Sequence, residues 1–273
     1  MKKVLLLMMV IAMAFSFAAC KSDDDSKDAV ENKYGLENGV LLVGVDDTYP
    51  PMEYVDENGD LVGFDVDFAK ALAEEMGVEI EFKSTAWDGI FANLSAKQYD
   101  VIISSVSMTT ERMDTMNFST PYLANGQVIM VSPEMADAIT TPEDLAGLKV
   151  GVQFETTADI AATKQQETID FELIQYDDMT VCLAAMEAGQ IDCIVADMAV
   201  AIDAVAKNPE VFKVSSAQLT NEPIAVALNK DTPELEAAIN DAIAALQANG
   251  KLAEISVEHL GEDYTANIDT ELR

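Results

Sequence analysis

The sequence predicts an α/β protein of two similar lobes. Each lobe is expected to be a mostly parallel sheet flanked by helices, with two hinge crossings between them. Three observations carry this. Short β-branched runs alternate with amphipathic helical patterns, the sequence form of βαβ units. Midway the alternation restarts with matching residues. Two polar, proline-bearing stretches then mark where the chain passes over and returns.

In the first half, Val40-Leu41-Leu42-Val43-Gly44-Val45 reads as a buried strand. Phe68, Ala69, Leu72, Ala73 and Met76 share one helical face, and Gly77 is placed to cap that helix. Residues 78–82 form a second strand, Ile90, Phe91 and Leu94 a short helix, and residues 99–104 a third strand. The restart follows. Lys149-Val150-Gly151-Val152-Gln153 echoes Leu42-Val43-Gly44-Val45-Asp46, and Ile191-Asp192-Cys193-Ile194-Val195 echoes Tyr99-Asp100-Val101-Ile102-Ile103. Helical stretches lie at 159–167 and 179–188. Residues 132–144, with Pro133 and Pro142, read as the entry to the second lobe, and Asn221-Glu222-Pro223 as the return. Thr232-Pro233 opens a last helix whose stripe is Leu235, Ile239, Ile243 and Leu246, ended by Gly250. That stripe needs a face to cover, and the first lobe supplies it.

The N-terminus reads as an address. Lys2 and Lys3 precede an apolar run over residues 4–17, then Ala18-Ala19-Cys20. This is the layout of an export signal, and the run is shorter than the roughly 20 residues a spanning helix needs. Phe17-Ala18-Ala19-Cys20 resembles the bacterial lipobox, which implies a lipidated Cys20 at the mature terminus; a plain secreted protein is the alternative. Residues 21–38 are polar, read as a tether with little to bury. Composition narrows the rest. Lys plus Arg total 16 against 49 Asp plus Glu, a net charge of −33, which repels nucleic acid and anionic membranes. A single His excludes a multi-histidine metal site, and neither a metal nor any other cofactor is expected. Three Cys are too few for a disulfide scaffold. Cys182 and Cys193 read either as a bridge or as two buried thiols.

In open α/β sheets ligands bind beyond the carboxyl ends of strands. Here those ends are Asp46-Asp47-Thr48-Tyr49, Ser84-Thr85-Ala86-Trp87, Ser104-Ser105-Val106-Ser107 with Arg112 following, Gln153-Phe154-Glu155-Thr156-Thr157, and Ala196-Asp197. The set offers aromatics, hydroxyls, one cation and several anions. Along with Thr48-Tyr49-Pro50-Pro51-Met52-Glu53-Tyr54, Gly63-Phe64-Asp65-Val66-Asp67, Trp87-Asp88-Gly89, Thr109-Thr110-Glu111-Arg112 and Asn117-Phe118-Ser119-Thr120-Pro121-Tyr122, it resembles the amino-acid-binding proteins of ATP-driven importers, solute-binding protein family 3. The likeness runs on through Asp144-Leu145-Ala146-Gly147-Leu148-Lys149 and covers nearly the whole mature chain.

The resemblance implies a two-lobed periplasmic-binding-protein fold of type II. Its lobes would be residues 39–124 with 224–273, and residues 125–223. It assigns Arg112 to the ligand's α-carboxylate, where a guanidinium fork suits two oxygens. Ser105 and Ser107 would donate to the same carboxylate, Asp197 would accept the α-ammonium, and Tyr49 and Trp87 would sandwich the side chain. Asp46 matches a pocket acid, and Gln153, Thr156 and Thr157 match the second-lobe wall. Glu155 stands where the family usually has Gly, which raises the prospect of another anion at the pocket edge. The expected protein is a monomeric, extracytoplasmic, lipid-anchored carrier that captures a polar or basic amino acid and delivers it to a membrane permease. It is not expected to be an enzyme. A fold-related dehydratase or lyase, with Glu155 as its only candidate acid, and a sensing partner of a receptor are the alternatives.

Overall fold

The structure is a computed structural model that describes residues 34–272. The expected signal peptide, Cys20 and most of the tether lie outside the described residues. Among the described residues no helix is long and apolar enough to cross a membrane.

In chain order, β1 (Val40–Val45) leads into a small antiparallel ribbon of β2 (Thr48–Tyr49), β3 (Glu53–Val55) and β4 (Leu61–Val62). Next come α1 (Phe64–Met76), β5 (Glu79–Ser84), α2 (Trp87–Ser95), β6 (Val101–Ile102), α3 (Thr110–Thr115) and β7 (Asn117–Phe118). After a crossing the chain forms β8 (Gln127–Val131), β9 (Lys149–Gln153), α4 (Thr157–Gln166), β10 (Glu172–Tyr176), α5 (Met179–Glu187), β11 (Cys193–Asp197), α6 (Met198–Lys207) and β12 (Lys213–Gln218). A second crossing returns it to β13 (Ala227–Leu228), α7 (Pro233–Ala248) and α8 (Lys251–Leu260).

The two large sheets share one plan. Their orders are β5-β1-β6-β13-β7 and β10-β9-β11-β8-β12. In each, the fourth strand runs against its neighbours and is the one that arrives from a crossing. The crossings, residues 119–126 and 219–226, pair with each other. Tyr122 N–H donates to Ile224 O, Ile224 N–H to Leu123 O, and Glu222 N–H to Asn125 O. One apolar cluster runs from Leu41, Val43 and Val45 under α1 and α7, through Tyr122, Leu123 and Ile224, to Ile194 and Ala196 of the second sheet.

The sequence echo has a structural counterpart. Asp100 and Asp192 each accept the backbone N–H that starts the central stretch of their sheet, from Leu42 at 2.9 Å and Lys149 at 2.8 Å. The residue before each Asp lies against the shared glycine. A Cβ at Gly44 would sit 2.4 Å from the Tyr99 ring, and one at Gly151 would sit 2.4 Å from the end of Ile191.

Other expectations need correction. The tether does not stay solvated to residue 38, because Leu36 is buried in the first core. Residues 132–144 are not the entry to the second sheet; β8 has already entered it. The third strand shrinks to Val101–Ile102, since the chain turns away at Ser104 and Ser105. Gly77 and Gly250 adopt left-handed φ of 70° and 81°, as helix ends favour, but a further helix, α8, follows Gly250. Thr232 does not cap α7 with its side chain; its hydroxyl donates to Asn229 O. Cys182 and Cys193 are free, buried thiols, each pushed up to about 12 by desolvation. They pack in different hydrophobic clusters.

Candidate functional site

The carboxyl ends of β1, β6, β9 and β11 face one another across the cleft and line a small pocket, about 280 Å³ when its open mouth is counted. The wall comprises Tyr49, Glu53, Trp87, Ser104, Ser105, Ser107 and Arg112 from the first lobe, and Gln153, Thr156, Thr157 and Asp197 from the second. The structure thus brings together every expected site residue except Asp46. Glu53 and Ser104 are additions.

Arg112 sits on α3, where Thr109 caps the helix by accepting the Arg112 N–H at 3.1 Å. Its guanidinium donates to Ser107 O at 2.9 Å and lies 5.5 Å from the Trp87 ring centroid and 4.9 Å from that of Phe91. Among the described residues no carboxylate pairs with it within 4.0 Å. Desolvation lowers its pKa to about 10, while Glu222, Asp197 and Tyr49 oppose that shift. It is the only cation of the wall, and it remains charged.

Asp197 occupies the N-cap position of α6 but makes no capping bond. Its carboxylate instead accepts from Tyr49 Oη at 2.5 Å, from Gln127 Nε2 at 2.7 Å and from Asn125 Nδ2. Burial raises its pKa, and the three donors pull the other way. Tyr49 therefore presents its hydroxyl to Asp197 as well as its ring to the cavity. Asn125, Gln127 and Glu222 escaped sequence reasoning. They lie at the crossings, and Gln127 Nε2 reaches Asp197, Thr157 and Glu222 together.

Ser105 lines the cavity, yet its backbone N–H and hydroxyl both donate to Asp65 Oδ2. Its φ of 49° turns these donors into the lobe, away from the carboxylate role implied for them. Ser107 Oγ and Thr157 Oγ1 meet at 3.5 Å across the cleft. Thr156 caps α4 by accepting the Asp159 N–H, so the partially positive end of that helix's dipole forms part of the wall. Asp46 lies just behind, where Oδ2 accepts from Gln153 Nε2 at 2.8 Å and Oδ1 from Thr48 Oγ1 at 2.7 Å. Burial nonetheless raises its pKa. The Glu155 side chain is exposed and outside the wall, while its carbonyl accepts the Trp87 indole N–H at 3.1 Å. Glu155 therefore adds no anion to the pocket.

Residues 41–262 match the profile of the bacterial extracellular solute-binding proteins, family 3. The chain belongs to that family. The L-cystine-binding protein TcyJ of Escherichia coli K12 is 37% identical over 229 residues, covering 84% of this chain and 85% of that protein. The ABC transporter arginine-binding protein 1 of the same organism is 32% identical over 217 residues, covering 78% of this chain and 87% of that protein. Among solved structures, an ancestral amino acid-binding protein described as a precursor of cyclohexadienyl dehydratase superposes with a TM-score of 0.77 at 33% identity, covering 85% of this chain and 98% of that chain. As in other family 3 members, the fold is the two-lobed, type II periplasmic-binding-protein architecture.

Proposed function

We propose that this family 3 protein captures an amino acid between its lobes and delivers it to an ABC importer. The observation that carries this is the convergence of Arg112 from one lobe and Asp197 from the other on one small cavity. Arg112 and the N-terminus of α4 would hold the α-carboxylate. Asp197 would take the α-ammonium, with Tyr49 swinging from hydrogen-bond donor to stacking partner beside Trp87. A basic or polar side chain suits a wall with one cation and two acids, Glu53 and Asp197. The closed form buries both charges of the zwitterion, so ligand binding shifts the population towards closure.

Thermal unfolding against the twenty amino acids and ornithine tests the reading. A ligand at 100 times its Kd stabilises the fold by about 2.7 kcal/mol. A shift confined to one or two amino acids is expected; no shift with any would overturn the proposal. Recovery of unchanged ligand after denaturation separates a carrier from an enzyme, the second reading that the dehydratase-precursor neighbour raises. A lipid at Cys20 would hold the carrier, as a monomer, on the outer face of the membrane. Cys20→Ser is expected to move it to the soluble fraction, and continued sedimentation with membranes would exclude the anchor.

A further inference from the structure

Beneath the cavity the first lobe buries an acid cluster that the zwitterion clamp does not use. Asp46, Glu53 and Asp65 are 3%, 1% and 0% exposed. They come from three elements, the end of β1, β3 and α1, and meet around Ser104 and Ser105. Among the described residues, no Lys, Arg or His pairs with any of them. Buried carboxyls this close, without a counter-charge, do not all ionise.

Hydrogen bonding decides which one keeps a proton. Asp65 accepts three bonds, two from Ser105 and one from Tyr122 Oη at 2.7 Å. Asp46 accepts from Thr48 and from Gln153. Among the described residues Glu53 accepts only the Ser104 hydroxyl, on Oε1 at 2.6 Å, and Oε2 is buried without a donor; its carboxyl lies against that of Asp65, which can take a hydrogen bond from it only while Glu53 holds a proton. The titratable groups facing Glu53 are Asp65, Asp46, Tyr49 and Tyr122, and none of them is cationic. Desolvation, with Asp65 and Asp46 alongside, pushes its carboxyl well above the ordinary range. Arg112 and Asp197 share the cavity wall with Glu53. The missing counter-charge and the single donor thus favour the protonated form of Glu53, which lies at the edge of the cavity. Gln153, also of the cavity wall, has a second unpaired buried acceptor, Oε1. An incoming side chain rich in donors would satisfy both.

Resting on the amino-acid reading of the cleft, we propose that binding here is proton-linked: a ligand with a cationic side chain docks on Glu53 and drives its proton off. The O–H bond of the Glu53 carboxyl breaks, the proton passes to water or buffer, and the carboxylate left behind pairs with the ligand cation. One positive charge enters and one leaves, so the buried cluster gains no net charge. By linkage, affinity for such a ligand rises with pH across the interval in which free Glu53 is protonated and bound Glu53 is not. It is constant above that interval. A neutral ligand of the same shape is indifferent to pH there.

Isothermal titration of the full chain with L-arginine, L-lysine and the neutral arginine isostere L-citrulline, in two buffers of different ionisation enthalpy and over a pH series, tests this. The expected result is release of about one proton per bound cation, Kd tightening by up to tenfold per pH unit, and no release with citrulline. Glu53→Gln should abolish both the release and the pH slope. Cation binding without proton release, release that persists in Glu53→Gln, or tight binding of a neutral amino acid with neither arginine nor lysine bound would each overturn the inference while leaving the carrier reading intact. Binding of no amino acid at all would overturn the carrier reading itself.

Discussion

Glu155 shows how one residue is set by its surroundings. It holds φ at 60°, a conformation natural to glycine, so that its carbonyl can take the Trp87 indole proton across the cleft. Its own side chain points to solvent. Glu155→Gly should therefore stabilise the unliganded protein by about 1 kcal/mol, read from urea denaturation midpoints. Loss of stability would mean that the side chain has a partner after all. Single residues also mark what was legible beforehand. Arg112, Asp197 and Trp87 stood at strand ends and carried family motifs, so their meeting was readable. Glu53 was not, because nothing in Pro-Pro-Met-Glu-Tyr says that the β2–β3 ribbon folds it beneath the cavity. Ser105 misled for a related reason. A serine with positive φ leaves no mark in the sequence, and that φ spends its donors on Asp65.

At the scale of elements, the repeated central strands explain the echo between the halves. Each needs a glycine because a side chain just ahead of the third strand lies across it, and each has a backbone N–H held by a carboxylate, Leu42 by Asp100 and Lys149 by Asp192. The two glycines are not equivalent. At Gly44 a Cβ meets the ring of Tyr99, whose hydroxyl is tied to Ile90 O. At Gly151 it meets the free end of Ile191 and the Cys182 sulfur. Gly44→Ala should cost about 1–3 kcal/mol and more than Gly151→Ala, in equilibrium unfolding of the two variants. Equal costs would mean that Tyr99 yields as readily as Ile191. The alternation of strands and helices was visible in the sequence because buried strands and amphipathic helices have different periods. The short strands β2, β3, β4, β7 and β13 were not, since two or three residues carry no period.

Across the whole molecule, the hinge and the site are wired together. Asn125 and Gln127 reach Asp197 from the first crossing and its continuation, and Gln127 also touches Glu222 of the second. No spacing in the sequence links positions so far apart; only the folded crossings do. The lobes also touch at a point remote from the cavity. Lys207 of the second lobe lies 5.4 Å from the centroid of the Tyr54 ring on the first. A cation–π contact of this kind contributes about 0.5–1 kcal/mol at an exposed site. Lys207→Ala should weaken ligand binding roughly two- to fivefold, mainly through faster dissociation measured by stopped flow. An unchanged off-rate would remove this contact from the closed state.

The central claim is that two charges on opposite lobes clamp one zwitterion. Calorimetric titration of wild type, Arg112→Ala and Asp197→Ala with the amino acid found by the thermal screen addresses it most directly. Each substitution strands one buried charge of the ligand, so each should cost at least about 2 kcal/mol, or roughly thirtyfold in Kd. Affinity within threefold of wild type in either variant would contradict the clamp.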